Sequence, residues 1–184
     1  NPNRPITDPR RFYGRERECR RVFNWWSGIP LQDVALVGPK KSGRTSLLHY
    51  LRLITSTPTD RLRPGQRNNW LPDAGRFRWV YVDFYDARWL SPVNLLGHIL
   101  TQLGFPIPDP LSLDTFMETM SERVRGPVII MLDELSAGLE LPGFDRNFWH
   151  SMRALATSAT QNRVAFVIAA SDDPQRLAMN YGKT

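Results

Sequence analysis

The fold of this chain is decided by one stretch of its sequence, Gly38-Pro39-Lys40-Lys41-Ser42-Gly43-Arg44-Thr45. The stretch has the pattern of a phosphate-binding loop, which is a glycine, four residues and then Gly-Lys-Ser or Gly-Lys-Thr, except that Arg44 replaces the lysine. Glycines let the backbone wrap an anion, so that its N–H groups and the next helix point at phosphate oxygens. A tight connection could also have this pattern. We expect these residues and Ser46 to bind nucleotide.

The residues on both sides of the loop support this interpretation. The segment Asp33-Val34-Ala35-Leu36-Val37 is typical of a short buried strand that runs into the loop. The segment 45–54 is typical of the helix that leaves it. In this context Thr45 would place its hydroxyl on Mg²⁺.

A second motif is an apolar run that ends in two acids, Val128-Ile129-Ile130-Met131-Leu132-Asp133-Glu134. A buried parallel strand ends in this way at the edge of the sheet where ligands bind. Asp133 would hold Mg²⁺ through its water shell, and Glu134 would polarise the attacking water. By itself the pair could be a solvated strand end, but its combination with the loop favours a nucleotide site.

The rest of the chain predicts strands that alternate with helices. Further strands are expected at 77–85 and 164–170, and helices at 92–103, 112–125 and 144–160. Ser91 and Pro92 supply an N-cap and a first-turn proline for the first of these helices, and Gly104 ends it. This alternation predicts an α/β fold of three layers, a parallel sheet with helices on both faces.

A third motif precedes the loop, Phe12-Tyr13-Gly14-Arg15-Glu16-Arg17-Glu18, an aromatic pair followed by Gly-Arg-x-x-Glu. Together the three motifs resemble the STAND class of P-loop NTPases and the related AAA+ and origin-recognition-type ATPases, over residues 10–175. The following helix has one apolar face, because Cys19, Val22, Phe23 and Trp26 recur at helical spacing.

The resemblance implies two further nucleotide contacts. In these families the Gly-Arg segment opens a helix beside the nucleotide base, so Arg15 is expected at the site. Ser171, at the end of the last strand, occupies the place of a polar sensor of the γ-phosphate. Both residues have simpler interpretations: Arg15 could be part of a solvated helix start, and Ser171 could be the N-cap of a helix.

Arg44 is the main departure from the loop pattern. A guanidinium keeps the positive charge of lysine but is planar and wider. It could still pair with phosphate oxygens, whereas transition-state positioning tolerates less displacement. We therefore expect nucleotide binding with slow or absent hydrolysis, in which Arg44 and Glu134 are the catalytic candidates. Lys40 or Lys41 could replace the missing ammonium, although ordinary loop charge explains both.

We expect a single domain, because 184 residues suffice for one core. Residues 1–30 would form an N-terminal segment and helix, and residues 31–184 the nucleotide-binding core. The resemblance implies that a further strand, a helical lid and a winged-helix segment follow such a core. We therefore expect this chain to be the core domain of a longer protein, without the lid and C-terminal domains.

Composition excludes several other classes of protein. No apolar run approaches the roughly 18 residues of a membrane span, and no signal peptide is visible. A single cysteine, Cys19, cannot form an internal disulfide, which suits a cytoplasmic location. The three histidines are scattered without the spacing of a zinc site.

The charge of the chain is unevenly distributed. Residues 1–88 carry 17 Lys and Arg against 8 Asp and Glu, whereas residues 89–184 carry 7 against 10. The basic residues cluster at 4–21 and at 61–70, where arginines stand beside Trp70. Such a cluster could hold a nucleic-acid backbone, with the ring available for stacking. It could equally be a solvated loop or a protein-binding surface.

Three functions therefore remain open. The first is a regulatory switch that binds ATP or ADP with Mg²⁺ in a larger STAND-like signalling or defence protein, with protein partners or self-oligomerisation through other domains. The second is an origin-recognition-like or AAA+-like ATPase that acts on nucleic acid. The third is a scaffold of this fold that has lost nucleotide. The residues leave open whether ATP is hydrolysed, and no arginine can be assigned as an activating finger.

Overall fold

Four parallel strands form one sheet in the computed structural model, which describes residues 4–89, 91–172, 176 and 179. The strands are β1 (Val34–Val37), β2 (Arg78–Asp83), β3 (Val128–Asp133) and β4 (Val164–Ala170). Their order in the sheet is β1-β4-β3-β2. The sequence predicted all four strands, and the structure shortens the predicted second strand at both ends. β1 was predicted to be a buried strand, but it lies at the edge of the sheet and its Ala35 and Val37 are exposed. The order was not predicted: β4 lies between β1 and β3, and so separates the loop strand from the acidic strand.

Within residues 4–172, apart from residue 90, six α-helices surround the sheet. They are α1 (Glu16–Trp25), α2 (Arg44–Ile54), α3 (Pro92–Leu103), α4 (Leu113–Arg123), α5 (Leu135–Glu140) and α6 (Arg146–Ala154), and α6 continues into a π-helical turn, Leu155–Ala159. The predicted ends of α3 are confirmed, since the Ser91 hydroxyl accepts from the Asn94 N–H and Gly104 has a left-handed φ of 65°. The sequence did not predict α5, which is too short to show a helical period.

The helices cover both faces of the sheet. On one face α1 and α2 pack on Ile129 and Met131 of β3, and on the other α3, α4 and α6 pack on Ile130 and Leu132. Successive side chains of a strand point to opposite faces, and every residue of β3 is buried. The predicted three-layer α/β fold is confirmed.

The N-terminal segment and the loop after α2 are packed against the same helix pair. Phe12 stacks on Tyr50 of α2 with ring centroids 4.5 Å apart, and Trp70 stacks on Phe23 of α1 at 5.3 Å. The Arg63 side chain donates to the carbonyl of Phe12 at 2.9 Å. Among the described residues, no helix has the length and apolarity that crossing a membrane requires.

Candidate functional site

The three predicted site segments meet at the carboxyl edge of the sheet. The loop 38–43 follows β1, Asp133 closes β3, and Ser171 follows β4, which lies between those two strands. The strand ends are nearly level, because Val37 is paired with Ala170, Leu132 with Ile168, and Asp83 with Asp133. The loop, α2 and Glu134 line a cavity of about 200 Å³ here. Its lining residues are Arg4, Pro5, Lys41, Ser42, Gly43, Arg44, Thr45, Ser46 and Glu134.

The backbone of the loop has the geometry of an anion site. Gly43 has a left-handed φ of 86° and directly precedes α2. In this region of φ a side chain costs free energy, which explains the glycine. The backbone bond from Leu47 N–H to Gly43 carbonyl is the first of the helix, so the N–H groups of the three residues between them have no helical acceptor. They are available to an anion at the helix start.

Arg44 is buried inside the loop, with 5% of its surface exposed. One nitrogen of its guanidinium, Nη1, donates to the carbonyl of Gly38, and the other, Nη2, donates to Glu134 Oε1 at 3.1 Å. Its Nε is buried and has no hydrogen-bond partner within the described part of the chain. Arg44 thus connects the beginning of the loop to the residue that follows β3.

Asp133 is the most buried acid of the site, with 1% of its surface exposed. Its Oδ1 accepts from the Glu134 N–H at 3.0 Å, and its Oδ2 accepts from the Tyr81 hydroxyl at 2.9 Å. Glu134 follows with a left-handed φ of 53° and precedes α5. This conformation is unusual for a residue other than glycine, and it places the Glu134 carboxylate beside Arg44.

The oxygen donors of the site fit Mg²⁺. Thr45 is part of the cavity lining, whereas Asp133 is buried at the end of β3 and lies outside that lining. Within the described residues no group of three or more His, Cys, Asp and Glu is placed to hold a metal ion. Mg²⁺ commonly uses one or two protein oxygens together with phosphates and water, so this sparse donor set suits it. Both Asp133 oxygens already accept hydrogen bonds, which favours a contact through water.

The other residues that were predicted to contact nucleotide lie at different positions around the loop. The Arg15 guanidinium donates to the Ser42 carbonyl and so attaches the start of α1 to the loop. The Ser46 hydroxyl accepts from the Ile6 N–H at 2.9 Å, which attaches the N-terminal segment to α2. Pro39 and Lys40 are exposed and lie outside the cavity lining, whereas Lys41 is part of it. Their roles toward nucleotide stay predictions.

Ser171 lies at the same edge but does not line the cavity. Its hydroxyl oxygen is 3.4 Å from that of Ser136 in α5. The alternative interpretation, a helix N-cap at Ser171, depends on residues 173–175, which lie outside the described part. The sensor role therefore stays a prediction.

Sequence reasoning missed Tyr81. It lies on β2, and its hydroxyl reaches Asp133 on the neighbouring strand, 52 residues later in the chain. The sequence contained a weak signal for this contact, since Tyr81 and Asp83 are two residues apart in a predicted strand and so lie on the same face of it. That signal could not be used without knowing that β2 is the neighbour of β3.

Comparison with solved structures finds proteins of similar fold. The chain is similar to the ORC2 protein of Aeropyrum pernix in its ADPNP–ADP complexes, with 20% identity, a TM-score of 0.59, and coverage of 90% of this chain and 41% of that chain. It is also similar to the Cdc6 protein of Pyrobaculum aerophilum, with 20% identity, a TM-score of 0.57, and coverage of 97% and 46%. A Walker-type ATPase of Pyrococcus abyssi matches with 14% identity, a TM-score of 0.59, and coverage of 97% and 50%.

The chain has the fold of these ATPases. It spans between 41% and 50% of their length. The similarity supports the AAA+ and origin-recognition side of the predicted resemblance at the level of the fold, and the STAND class stays a prediction. No protein-family model matches the chain, and no curated protein matches it by sequence.

Proposed function

We propose that this chain is a nucleotide-binding regulatory domain that holds ATP or ADP with Mg²⁺ and hydrolyses ATP slowly or not at all. The observation that carries the proposal is the position of Arg44. It is buried at the start of α2, within a glycine loop that is shaped for an anion, and its guanidinium pairs with Glu134. A charged, anion-suited loop favours binding, and the engaged Glu134 argues against turnover.

In this proposal the phosphates lie along the loop from Gly38 to Thr45. The free N–H groups at the start of α2 donate to phosphate oxygens. Thr45 and Asp133 would hold Mg²⁺, which neutralises phosphate charge when it is bound. Arg15 keeps the loop in shape through the Ser42 carbonyl.

The slow turnover follows from the chemistry of the Arg44–Glu134 pair. Glu134 could polarise an attacking water only as a free carboxylate, and here its Oε1 accepts from Arg44 at 3.1 Å. The oxygen that accepts from Arg44 is not free to accept from an attacking water. The planar guanidinium also differs in shape from the ammonium that this position usually holds.

We further propose that the domain acts as a switch in a larger STAND-like signalling or defence protein, in the cytoplasm, with protein partners or copies of itself. This part rests on the sequence resemblance. The motif at Gly14–Glu18 supports it.

A second candidate function is an ATPase of the origin-recognition type that acts on nucleic acid. Three arginines that stack on aromatic rings favour it: Arg21 lies over Trp25 at 4.6 Å, Arg63 over Tyr13 at 4.1 Å, and Arg67 over Trp70 at 4.0 Å. We call these six residues the arginine–aromatic face. Stacking holds the Arg21 and Arg67 guanidinium groups in place, which favours hydrogen bonds to phosphates, whereas Arg63 already donates to the Phe12 carbonyl. The similarity to the ORC2 fold agrees with this candidate.

Calorimetric titration of Mg·ATP into protein free of bound nucleotide tests the leading proposal. We expect micromolar binding, weakened in the variant Thr45→Ala and unchanged in the control Thr59→Ala, since Thr59 is exposed and lies outside the cavity lining. A folded sample that gives no heat would overturn the proposal and favour the scaffold without nucleotide.

A further inference from the structure

Tyr81 is attached to the proposed metal site through one hydrogen bond. Its hydroxyl donates to Asp133 Oδ2 at 2.9 Å, while the other carboxylate oxygen accepts from the Glu134 N–H at 3.0 Å. Among the described residues Tyr81 is the donor to this oxygen, and the bond joins β2 to the neighbouring strand β3.

The ring of Tyr81 is fixed by its own neighbours. The His49 ring packs on it with centroids 4.9 Å apart, and the Arg52 guanidinium lies 5.3 Å from the ring centroid. The backbone is fixed as well, since His98 Nε2 lies 3.1 Å from the Tyr81 carbonyl oxygen. His49 lies on α2 four residues after Thr45, so its ring contact joins the helix that begins at the loop to the strand that carries Tyr81.

The hydrogen bond restricts how the Asp133 carboxylate can turn. An ionised carboxylate has about four lone-pair positions, and the two bonds occupy one on each oxygen. The remaining positions can accept from water molecules around a cation. Without the Tyr81 hydroxyl, Oδ2 would have no donor among the described residues, and the Glu134 N–H alone would orient the carboxylate.

We propose that Tyr81 is a positioning residue for Mg²⁺, which holds the Asp133 carboxylate in the orientation that accepts the ion's water shell. The inference rests on the proposed function, since it concerns the same nucleotide site. The proposal gives β2 a role at the site, the orientation of the Asp133 carboxylate by Tyr81. Partners that orient a metal-binding group in this way typically change metal affinity 10- to 100-fold when they are removed.

The variant Tyr81→Phe tests the proposal, because it removes the hydroxyl and leaves the ring contacts with His49 and Arg52. The matched control is Tyr85→Phe, since Tyr85 is 63% exposed. The dissociation constant of a fluorescent ADP analogue is measured with Mg²⁺ and with EDTA. We expect the affinity gained from Mg²⁺ to fall about tenfold or more in Tyr81→Phe, with the affinity in EDTA unchanged.

Other outcomes overturn the proposal in distinguishable ways. An unchanged Mg²⁺ effect in Tyr81→Phe would refute the positioning role and leave the proposed function intact. Equal losses with Mg²⁺ and with EDTA would mean that Tyr81 only supports the fold. Absence of binding by the unmodified protein would overturn both proposals.

A second variant keeps the test independent of small changes in folding. In the Asp133→Ala background the carboxylate is absent, so Tyr81→Phe is expected to have no further effect on the Mg²⁺ dependence. A further tenfold loss in that background would show that the hydroxyl acts through another group, and would overturn the inference. Circular dichroism of all variants checks that each is folded.

Discussion

Arg44 and Glu134 form an ion pair of 3.1 Å between two residues that are 90 positions apart in the chain. The exposed fraction of the Arg44 side chain is 5%, and that of Glu134 is 20%. The pair joins the start of α2 to the residue after β3, across the edge where a phosphate would bind. The residue that departs from the loop pattern therefore contacts the residue that would polarise water.

Restoring the usual lysine should increase turnover. In Arg44→Lys the ammonium can no longer make the forked contact with Gly38 and Glu134, and Glu134 is released. We expect ATP hydrolysis to rise about tenfold or more, and to fall again in the double variant with Glu134→Gln. Phosphate release in steady state measures this, with Arg17→Lys as the control on an exposed helix surface. Vigorous hydrolysis by the unmodified protein, lost in Glu134→Gln, would refute the expectation of slow turnover.

The same ion pair should contribute to stability. Glu134→Ala leaves the buried Arg44 charge with only the Gly38 carbonyl as its acceptor, so we expect a loss of about 1–3 kcal/mol in the free energy of unfolding. The matched control is Glu16→Ala, whose partner Arg20 is 58% exposed. An exposed pair of this kind contributes under about 1 kcal/mol. Urea denaturation measures both variants, and equal losses would contradict the prediction.

The loop should depend on glycine at position 43. Its φ of 86° is strained for any residue with a Cβ, and this strain costs about 1–2 kcal/mol. We expect Gly43→Ala to lower stability by that amount and to weaken Mg·ATP binding. Gly75→Ala is the control, because Gly75 has open space around its Cβ position and no positive φ. Thermal unfolding and calorimetry follow both, and equal effects would argue against a special loop geometry.

Stability should fall at high pH because of Cys19. Burial raises the pKa of its thiol to about 12, from an ordinary value of 9.0. Because the pKa is higher in the folded than in the unfolded chain, the buried neutral thiol contributes its full stability below pH 9. This contribution is lost as the pH rises from 9 toward 12, since the thiol ionises first in the unfolded chain. At pH 10 the loss from this group is about 1 kcal/mol. Urea denaturation at about pH 7.5 and about pH 10 measures the free energy of unfolding of the unmodified protein and of Cys19→Ala. The advantage of the unmodified protein over the variant should be smaller at the higher pH.

The arginine–aromatic face gives a test of the second candidate function. If it holds a nucleic-acid backbone, Arg67→Ala should weaken binding of a DNA duplex and reduce the salt slope of the logarithmic affinity by about one. Arg153→Ala is the control, because Arg153 is exposed on α6, on the opposite face of the sheet. Equal losses in both variants would indicate attraction by net charge alone. Binding that also strengthens with ATP would favour the origin-recognition type over a signalling switch.

Much of the fold could be predicted from local sequence. The apolar runs gave all four strands, and Ser91, Pro92 and Gly104 gave both ends of α3, because caps and periodicity act within a few residues. Helix α5 was missed since its six residues are too few for a period. The boundaries of α6 also differ, because the predicted helix ends in a π-helical turn.

The site was predicted less completely than the fold. The loop and the Asp133–Glu134 pair could be found from spacing, since each is a local motif at the end of a strand. The Tyr81–Asp133 bond could not be found in this way, because it needs the register between β2 and β3. The hydrogen bond from the Ile6 N–H to the Ser46 hydroxyl could not be found in this way either, and Ser46 had been expected to bind nucleotide.

The sequence by itself determined which residue types stand at the carboxyl ends of the strands, and hence the loop, its arginine and the two acids. Only the tertiary structure decided which of them touch. The strand order places β4 between the loop strand and the acidic strand, and the start of α2 then brings Arg44 to Glu134. The reason is physical: hydrogen-bonded capping and periodicity depend on neighbours in the chain, whereas an ion pair between distant residues depends on how the buried faces of separate strands and helices pack.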